Sequence, residues 1–249
     1  MRIIDINTAI GIPTKSVRFT QIDGLLACMQ DYCLDAAVVW NSVSDRDPEL
    51  GNLEMYRIAL EHRKVIYPCM LLEPSLETLG LPGDGSVTER LEQYRPAAVR
   101  VIQGEATHFP MNRYYAQELL LPLNEAHMPL IVDGSYSHLF WNCLPELAEA
   151  FSDVPFILLR CGLNESRIIR PLLKYTRNIY FDISVMQDFA QIEEITENFG
   201  SERLLFGSGL PQYVPAGPLG LLKYADISEA DRANIAYANF ERLMGGVKL

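Results

Sequence analysis

Eight short aliphatic runs, each followed by a stretch of helical periodicity, constrain the fold of this chain more than any other feature. The first covers residues 3–11, an apolar run closing on a polar residue and a glycine. Behind it Ile22, Leu25, Leu26 and Met29 recur at helical spacing over residues 20–31. The second run, residues 35–40, ends at Asn41 and precedes a helix predicted over 52–63, with Leu53, Tyr56 and Leu60 on one face. The third, residues 65–72, is stopped by Glu73 and Pro74, and Ser86 with Glu89 makes a capping box for the next helix. A fourth run at 97–102 leads through a loop, residues 104–110, to a helix carrying Tyr115, Leu119 and Leu123. The fifth, residues 129–133, is backed by Leu144, Leu147, Ala148 and Phe151. The sixth, 155–160, is followed by a helix over 164–175. After the seventh, 178–182, Phe189, Ile192 and Phe199 predict a helix that closes on Gly200. The eighth run is 203–207, and Ser228 caps a last helix holding Ile235, Phe240 and Leu243.

Strands alternating with helices imply a parallel sheet, since a parallel pair needs a crossover between its strands. Eight such units in 249 residues fit one α/β domain over residues 1–249, a closed (β/α)₈ TIM barrel. A doubly wound open sheet is the alternative, but no Gly-x-Gly-x-x-Gly follows any run. Residues 211–220, rich in Pro and Gly, read as a loop on the active face after strand eight.

The partner classes follow from charge. A formal charge of −11 argues against nucleic acid and against an anionic membrane surface, because both are bound through Lys and Arg. No apolar run is long enough to span a bilayer. The five cysteines (28, 33, 69, 143 and 161) are odd in number, widely spaced and in apolar context, so they are expected to be reduced, buried thiols. Met1 leads straight into a strand, which predicts no signal peptide and a soluble cytoplasmic protein.

Several segments resemble the amidohydrolase family, in its branch of small metal-dependent hydrolases and decarboxylases. The opening Ile4-Asp5-Ile6-Asn7-Thr8-Ala9-Ile10-Gly11 is similar to the family's Ile-Asp-x-His-x-His-x-Gly. Pro129-Leu-Ile-Val-Asp133-Gly resembles its fifth-strand motif, with Asp133 at a His position, and Pro155-Phe-Ile-Leu-Leu-Arg160-Cys-Gly its sixth, with Arg160 at another. Asn178-Ile-Tyr-Phe-Asp182-Ile-Ser184 looks like the seventh strand. Arg203-Leu-Leu-Phe-Gly-Ser-Gly209-Leu-Pro211 resembles the eighth, with Gly209 where a catalytic Asp is expected. Asn239-Phe-Glu-Arg-Leu243 is similar to the family's terminal Asn-Ala-x-Arg-Leu. In active members four His and one Asp hold divalent cations and orient a hydroxide. This chain has Asn7, Ala9, Asp133, Arg160 and Gly209 there, so the resemblance implies a degenerate member with no metal and no other cofactor. Some relatives are metal-independent lactone hydrolases, though these keep their His and Asp. Self-association as a homodimer is expected from the resemblance alone.

Barrel active sites lie at the C-terminal strand ends. Those ends offer Asn7, Trp40, Asn41, Glu73, Arg100, Gln103, Asp133, Arg160, Cys161, Asp182, Ser184 and Ser208. Two readings stand. In one, Arg160 pairs with Asp133 or Asp182 and plugs the old metal cavity. In the other, Arg160 and Arg100 clamp a small carboxylate while Asp133 acts as base, with Asn7, Trp40, Asp182, Ser208 and His138 around the ligand. Trp40, Phe140 and Trp141 could wall an aromatic ligand or pack into the core. His62 is expected on a solvated helix face and His127 at the far end of the barrel; His108 and His138 fall in loops near the mouth. Cys161 is a nucleophile candidate beside a cation, or an inert buried thiol. The functional expectation is a metal-independent hydrolase or lyase acting on a small carboxylate-bearing molecule. The alternative is a catalytically inactive homologue that binds a small molecule or a partner protein.

Overall fold

The computed structural model describes residues 1–12, 16–74, 86–103, 111–134 and 138–249. Among them the eight aliphatic runs form strands β1 (Ile4–Ile10), β2 (Ala36–Asn41), β3 (Ile66–Leu71), β4 (Ala98–Gln103), β5 (Leu130–Gly134), β6 (Phe156–Leu158), β7 (Ile179–Asp182) and β8 (Leu204–Leu205). All neighbours pair parallel, in chain order. The runs lack polar alternation because both faces are covered, one by the barrel interior and the other by helices. Backbone bonds close the ring between the first and last strands. The Ile6 N–H donates to Phe206 O and the Ala9 N–H to Leu210 O, each at 2.9 Å, while Gly209 N–H returns a bond to Asn7 O. The architecture is a (β/α)₈ barrel.

Described helices are α1 (Ile22–Asp31), α2 (Pro48–Glu61), α3 (Val87–Tyr94), α4 (Gln117–Glu125), α5 (His138–Ala150), α6 (Ser166–Tyr175), α7 (Gln191–Phe199), α8 (Ala216–Tyr224), α9 (Glu229–Ala233) and α10 (Asn239–Gly246). The capping box of Ser86 and Glu89 forms at the start of α3, a feature that stabilises a helix by about 1 kcal/mol. Helix α2 starts four residues before the predicted Asn52. Asp47 accepts the Leu50 N–H and Pro48 occupies the first turn, where its missing N–H costs nothing. α10 follows α9 through one π turn (Asn234–Ala238), which makes the predicted last helix three segments.

Other expectations are corrected. Residues 211–220 are not wholly loop, since α8 begins at Ala216 and tolerates Pro218 in its first turn. Tyr115 precedes α4 and is exposed, and Phe189 stands outside α7 with its ring fully in solvent. Ala190, left-handed at φ 54°, separates Phe189 from the helix. All five cysteines are free thiols, but Cys33 is exposed, at a left-handed turn after α1. No helix among the described residues is long and apolar enough to cross a membrane.

Three asparagines show why motif positions matter for the fold. Buried Asn239 donates from Nδ2 to Ser201 O and Leu204 O, tying α10 to the start of β8. Asn178 donates to Ala148 O, Phe151 O and Val154 O, satisfying carbonyls at the C-terminal end of α5. Asn52 exchanges two 2.9 Å bonds with the backbone of Leu71, standing in for a strand partner at the end of β3.

Candidate functional site

The site begins with an irregularity in β1. Asp5 pairs with Ala37 and Thr8 with Val39, so β1 advances three residues while β2 advances two. That extra residue is a β-bulge, a device that re-aims side chains at barrel rims. It leaves backbone groups to be satisfied locally. Thr8 Oγ1 donates to Val38 O at 2.8 Å, and Asp5 Oδ1 accepts both the Asn7 N–H at 3.0 Å and the Ser208 N–H at 2.9 Å. Asp5 is fully buried, and burial pushes its carboxyl up to about 7, with the Asp182 charge adding to the rise. Ser208 and backbone hydrogen bonds pull the other way.

Two strands away around the ring, Asp182 at the end of β7 is also buried, and its Oδ1 accepts the Arg160 N–H at 2.6 Å. A Cβ on Gly207 would lie 2.6 Å from Asp182 Oδ2 and 3.2 Å from Asn7 Cβ, so only glycine lets the chain just past β8 run between them. Arg160 holds φ 56°, a left-handed conformation that a long side chain seldom adopts. The turn lifts its side chain into the mouth.

Above this floor lies a cavity of about 120 Å³ whose wall includes Asn7, Trp40, Arg46, Arg100 and Arg160. Arg100 is 3% exposed. Its guanidinium carbon sits 4.7 Å from the Trp40 ring centroid, and its Nη2 is 3.5 Å from Asn7 Oδ1. Asn7 is buried too, and its Nδ2 donor has no acceptor. Phe19, Ile10 and Leu210 supply apolar wall, and Asp45 with Arg46 stands exposed at the rim. The cavity therefore presents donors and cations over an apolar side, the complement of a small anion with a hydrocarbon body.

Of the candidate residues, the structure brings Asn7, Trp40, Arg100 and Arg160 together around one cavity. Asp182 and Ser208 lie beneath the cavity rather than in its wall, with Ser208 Oγ accepting the Leu210 N–H. Asp133 occupies the C-terminal part of β5, opposite Ile102. Its side chain lies outside the described residues, as do those of Gln103 and His138 and the whole of His108. Cys161 is fully buried, Phe140 is in the core with Trp141 packed beside it, and His127 contacts Lys248 at the opposite end of the barrel. Sequence reasoning missed Arg46, which ends the 3-10 turn after β2. Its position just beyond a strand's C-terminal end was the available signal. It also passed over Asp5, read as part of a motif rather than as a buried acid.

The residues at the five ligand positions do not fit a divalent cation. Ala9 and Gly209 carry no donor, and the Arg160 guanidinium is itself a cation. Among the described residues no three His, Cys, Asp or Glu converge as a metal group.

A family model for amidohydrolases matches residues 118–246, just over half of the chain. No curated protein matches the chain in sequence. Solved structures share the fold at low identity. The 2,6-dihydroxybenzoate decarboxylase from Rhizobium superposes with a TM-score of 0.76 at 11% identity, over 98% of each chain. The 5-carboxyvanillate decarboxylase from Sphingomonas paucimobilis gives 0.71 at 11%, over 99% of each. The 4-oxalomesaconate hydratase from Rhodopseudomonas palustris gives 0.71 at 15%, over 98% of this chain and 96% of that one.

Proposed function

The chain belongs to the amidohydrolase family, and from that premise we propose that it is a metal-independent hydrolase or lyase acting on a small carboxylate-bearing molecule. One observation carries the reading. The buried Asn7 Nδ2 donor lacks an acceptor in a wall that also holds the Arg100 and Arg160 guanidiniums. A carboxylate in the cavity supplies that acceptor and lies within a wall that already carries donor side chains. The named neighbours are decarboxylases and a hydratase, which is in keeping with an anionic substrate.

In this reading Arg100 and Arg160 hold the carboxylate, Trp40 keeps the Arg100 guanidinium flat, and Phe19 and Leu210 exclude water from the substrate body. Asp133, at the C-terminal part of β5, moves the proton. Catalysis then rests on orientation and on charge stabilisation in a partly dry site.

The test is thermal shift of chelator-treated protein with a panel of small mono- and dicarboxylates, followed by turnover measured by NMR. Carboxylates should raise the melting temperature while their primary amides do not, and turnover should survive the chelator. Activity that returns only with a divalent cation would overturn the mechanism. A second reading, binding without turnover, is favoured by one fact: among the described residues lining the cavity the single carboxylate is Asp45, exposed at the rim. Tight carboxylate binding with no product would establish it.

A further inference from the structure

A second cationic site lies at the opposite end of the barrel. Lys174 and Arg177 stand where α6 turns toward β7, Arg203 immediately precedes β8, and Arg242 comes from α10. With Tyr180 and Phe199 they line a groove of about 810 Å³ in which, among the described residues, Glu202 is the only acid. Four cations against one carboxylate is a local excess of positive charge on a chain whose formal charge is −11.

The way these cations are held matters. Four arginines elsewhere meet carboxylates: Arg2 pairs with Glu241, Arg18 with Asp31, Arg170 with Glu194 and Arg232 with Glu229. Among the described residues no carboxylate is within ion-pair distance of Lys174, Arg177, Arg203 or Arg242. Arg203 instead donates to Thr176 O at 2.8 Å and to Leu173 O, and Arg242 donates to Glu202 O at 2.7 Å. Carbonyl oxygens carry only partial charges, so these bonds fix two guanidiniums in place without neutralising them. They also cap the C-terminal carbonyls of α6, which accounts for Arg203 but not for the cations gathered around it. Burial lowers the Arg203 pKa; Tyr180 and the Glu202 charge pull it back up, and the neighbouring Arg177 charge lowers it. Tyr180 sits with its hydroxyl against Arg242, and Tyr175 and Phe199 add aromatic surface beside the charges.

We propose that this groove binds a multiply phosphorylated small molecule, its phosphoryl groups bridging Arg203, Arg242, Arg177 and Lys174. Guanidinium forks match phosphate oxygens geometrically, and a chain of phosphoryl groups spans several of them at once. The site faces away from the catalytic mouth, so the ligand is an effector or stabiliser and not the substrate. The inference is independent of the function proposed for the mouth.

The experiment uses the full chain, with calorimetry and thermal unfolding in tripolyphosphate, in ADP, and in sulfate at matched ionic strength. Tripolyphosphate is expected to raise the melting temperature by about 5 °C at saturation. The response should fall at least about tenfold in affinity in Lys174→Glu/Arg177→Glu, whose side chains are exposed, and persist in Arg46→Ala at the other end of the barrel. Arg242→Gln is the second variant and should weaken binding severalfold. Tighter binding of ADP than of tripolyphosphate identifies a nucleotide with its ring on the aromatic surface. Equal or weaker binding of ADP identifies the phosphoryl chain alone. Equal stabilisation by sulfate, or undiminished affinity in both groove variants, would overturn the proposal.

Discussion

At the mouth of the barrel Arg100 is withdrawn from water, pressed against the Trp40 ring and placed beside the Asn7 amide, in a cavity of about 120 Å³. At the other end Arg203 and Arg242 lie along an open groove of about 810 Å³, pinned by backbone carbonyls. The mouth carries two buried acids beneath it, Asp5 and Asp182, whose oxygens accept backbone N–H groups. The groove has one exposed acid at its edge. Water decides how much each charge matters. Removing it strengthens every interaction at the mouth and raises the cost of leaving one unmade, whereas salt screens the groove. The two ends should therefore respond differently to the same kinds of change.

The largest difference concerns the floor of the mouth. Asp5 is buried with its carboxyl raised to about 7 from an ordinary 3.8. A raised folded-state value means that the native state prefers the protonated acid. Its stabilising contribution is complete below pH 4 and is lost as pH rises through 7. Asp5→Asn keeps an oxygen for the Asn7 and Ser208 N–H groups and cannot ionise. The variant should match the wild type near pH 4 and exceed it above pH 7, by up to about 4 kcal/mol in urea unfolding. Equal stabilities at pH 8 would show that Asp5 is compensated in a way the geometry does not reveal.

Next comes Arg100→Met, which keeps the side-chain volume and removes the buried charge. Carboxylate affinity at the mouth should fall about 100-fold, in line with loss of a charge-assisted bond in a desolvated site. Tripolyphosphate binding at the groove should not change. Calorimetry with both ligands on one sample checks the contrast, and a parallel loss at both ends would mean a global effect on folding.

The barrel was legible because its evidence repeats. Eight runs, each aliphatic on both faces, leave few topologies, and small errors at the ends of α2 or α7 do not alter the count. The ends themselves turn on single side chains. Asp47-Pro48 was a written start signal for α2 that the apolar spacing of Leu53, Tyr56 and Leu60 overshadowed. Phe189 matched the helical period but was cut off by the left-handed Ala190, which periodicity cannot register. At the mouth, strand position alone placed Asn7, Arg100 and Arg160 at the strand ends, and the three line one cavity. It did not separate cavity wall from floor, because a bulge in β1 and a positive φ at Arg160 decide which side chains reach the opening. The groove was invisible in sequence. Its cations come from α6, the turn before β8 and α10, and only the closed barrel brings them together.

The smallest effect isolates what burial does for Arg100. Its guanidinium lies over the Trp40 ring, a contact that contributes about 0.5–2 kcal/mol depending on its exposure to water. Trp40→Leu removes the π face and leaves an apolar side chain, so carboxylate affinity should fall about fivefold while the charge remains. If the reaction proceeds as proposed, KM should rise more than kcat falls, since the ring positions the clamp and touches no reacting atom. Trp40→Phe should recover most of the loss because it restores a ring at the same place. The equivalent change in the groove, Phe199→Leu, touches no pinned guanidinium and should leave tripolyphosphate affinity within about twofold. A Trp40→Leu variant that binds carboxylates as tightly as the wild type would mean that Arg100 is held by the barrel backbone and its hydrogen bonds alone, and the two ends would then hold their arginines in the same way.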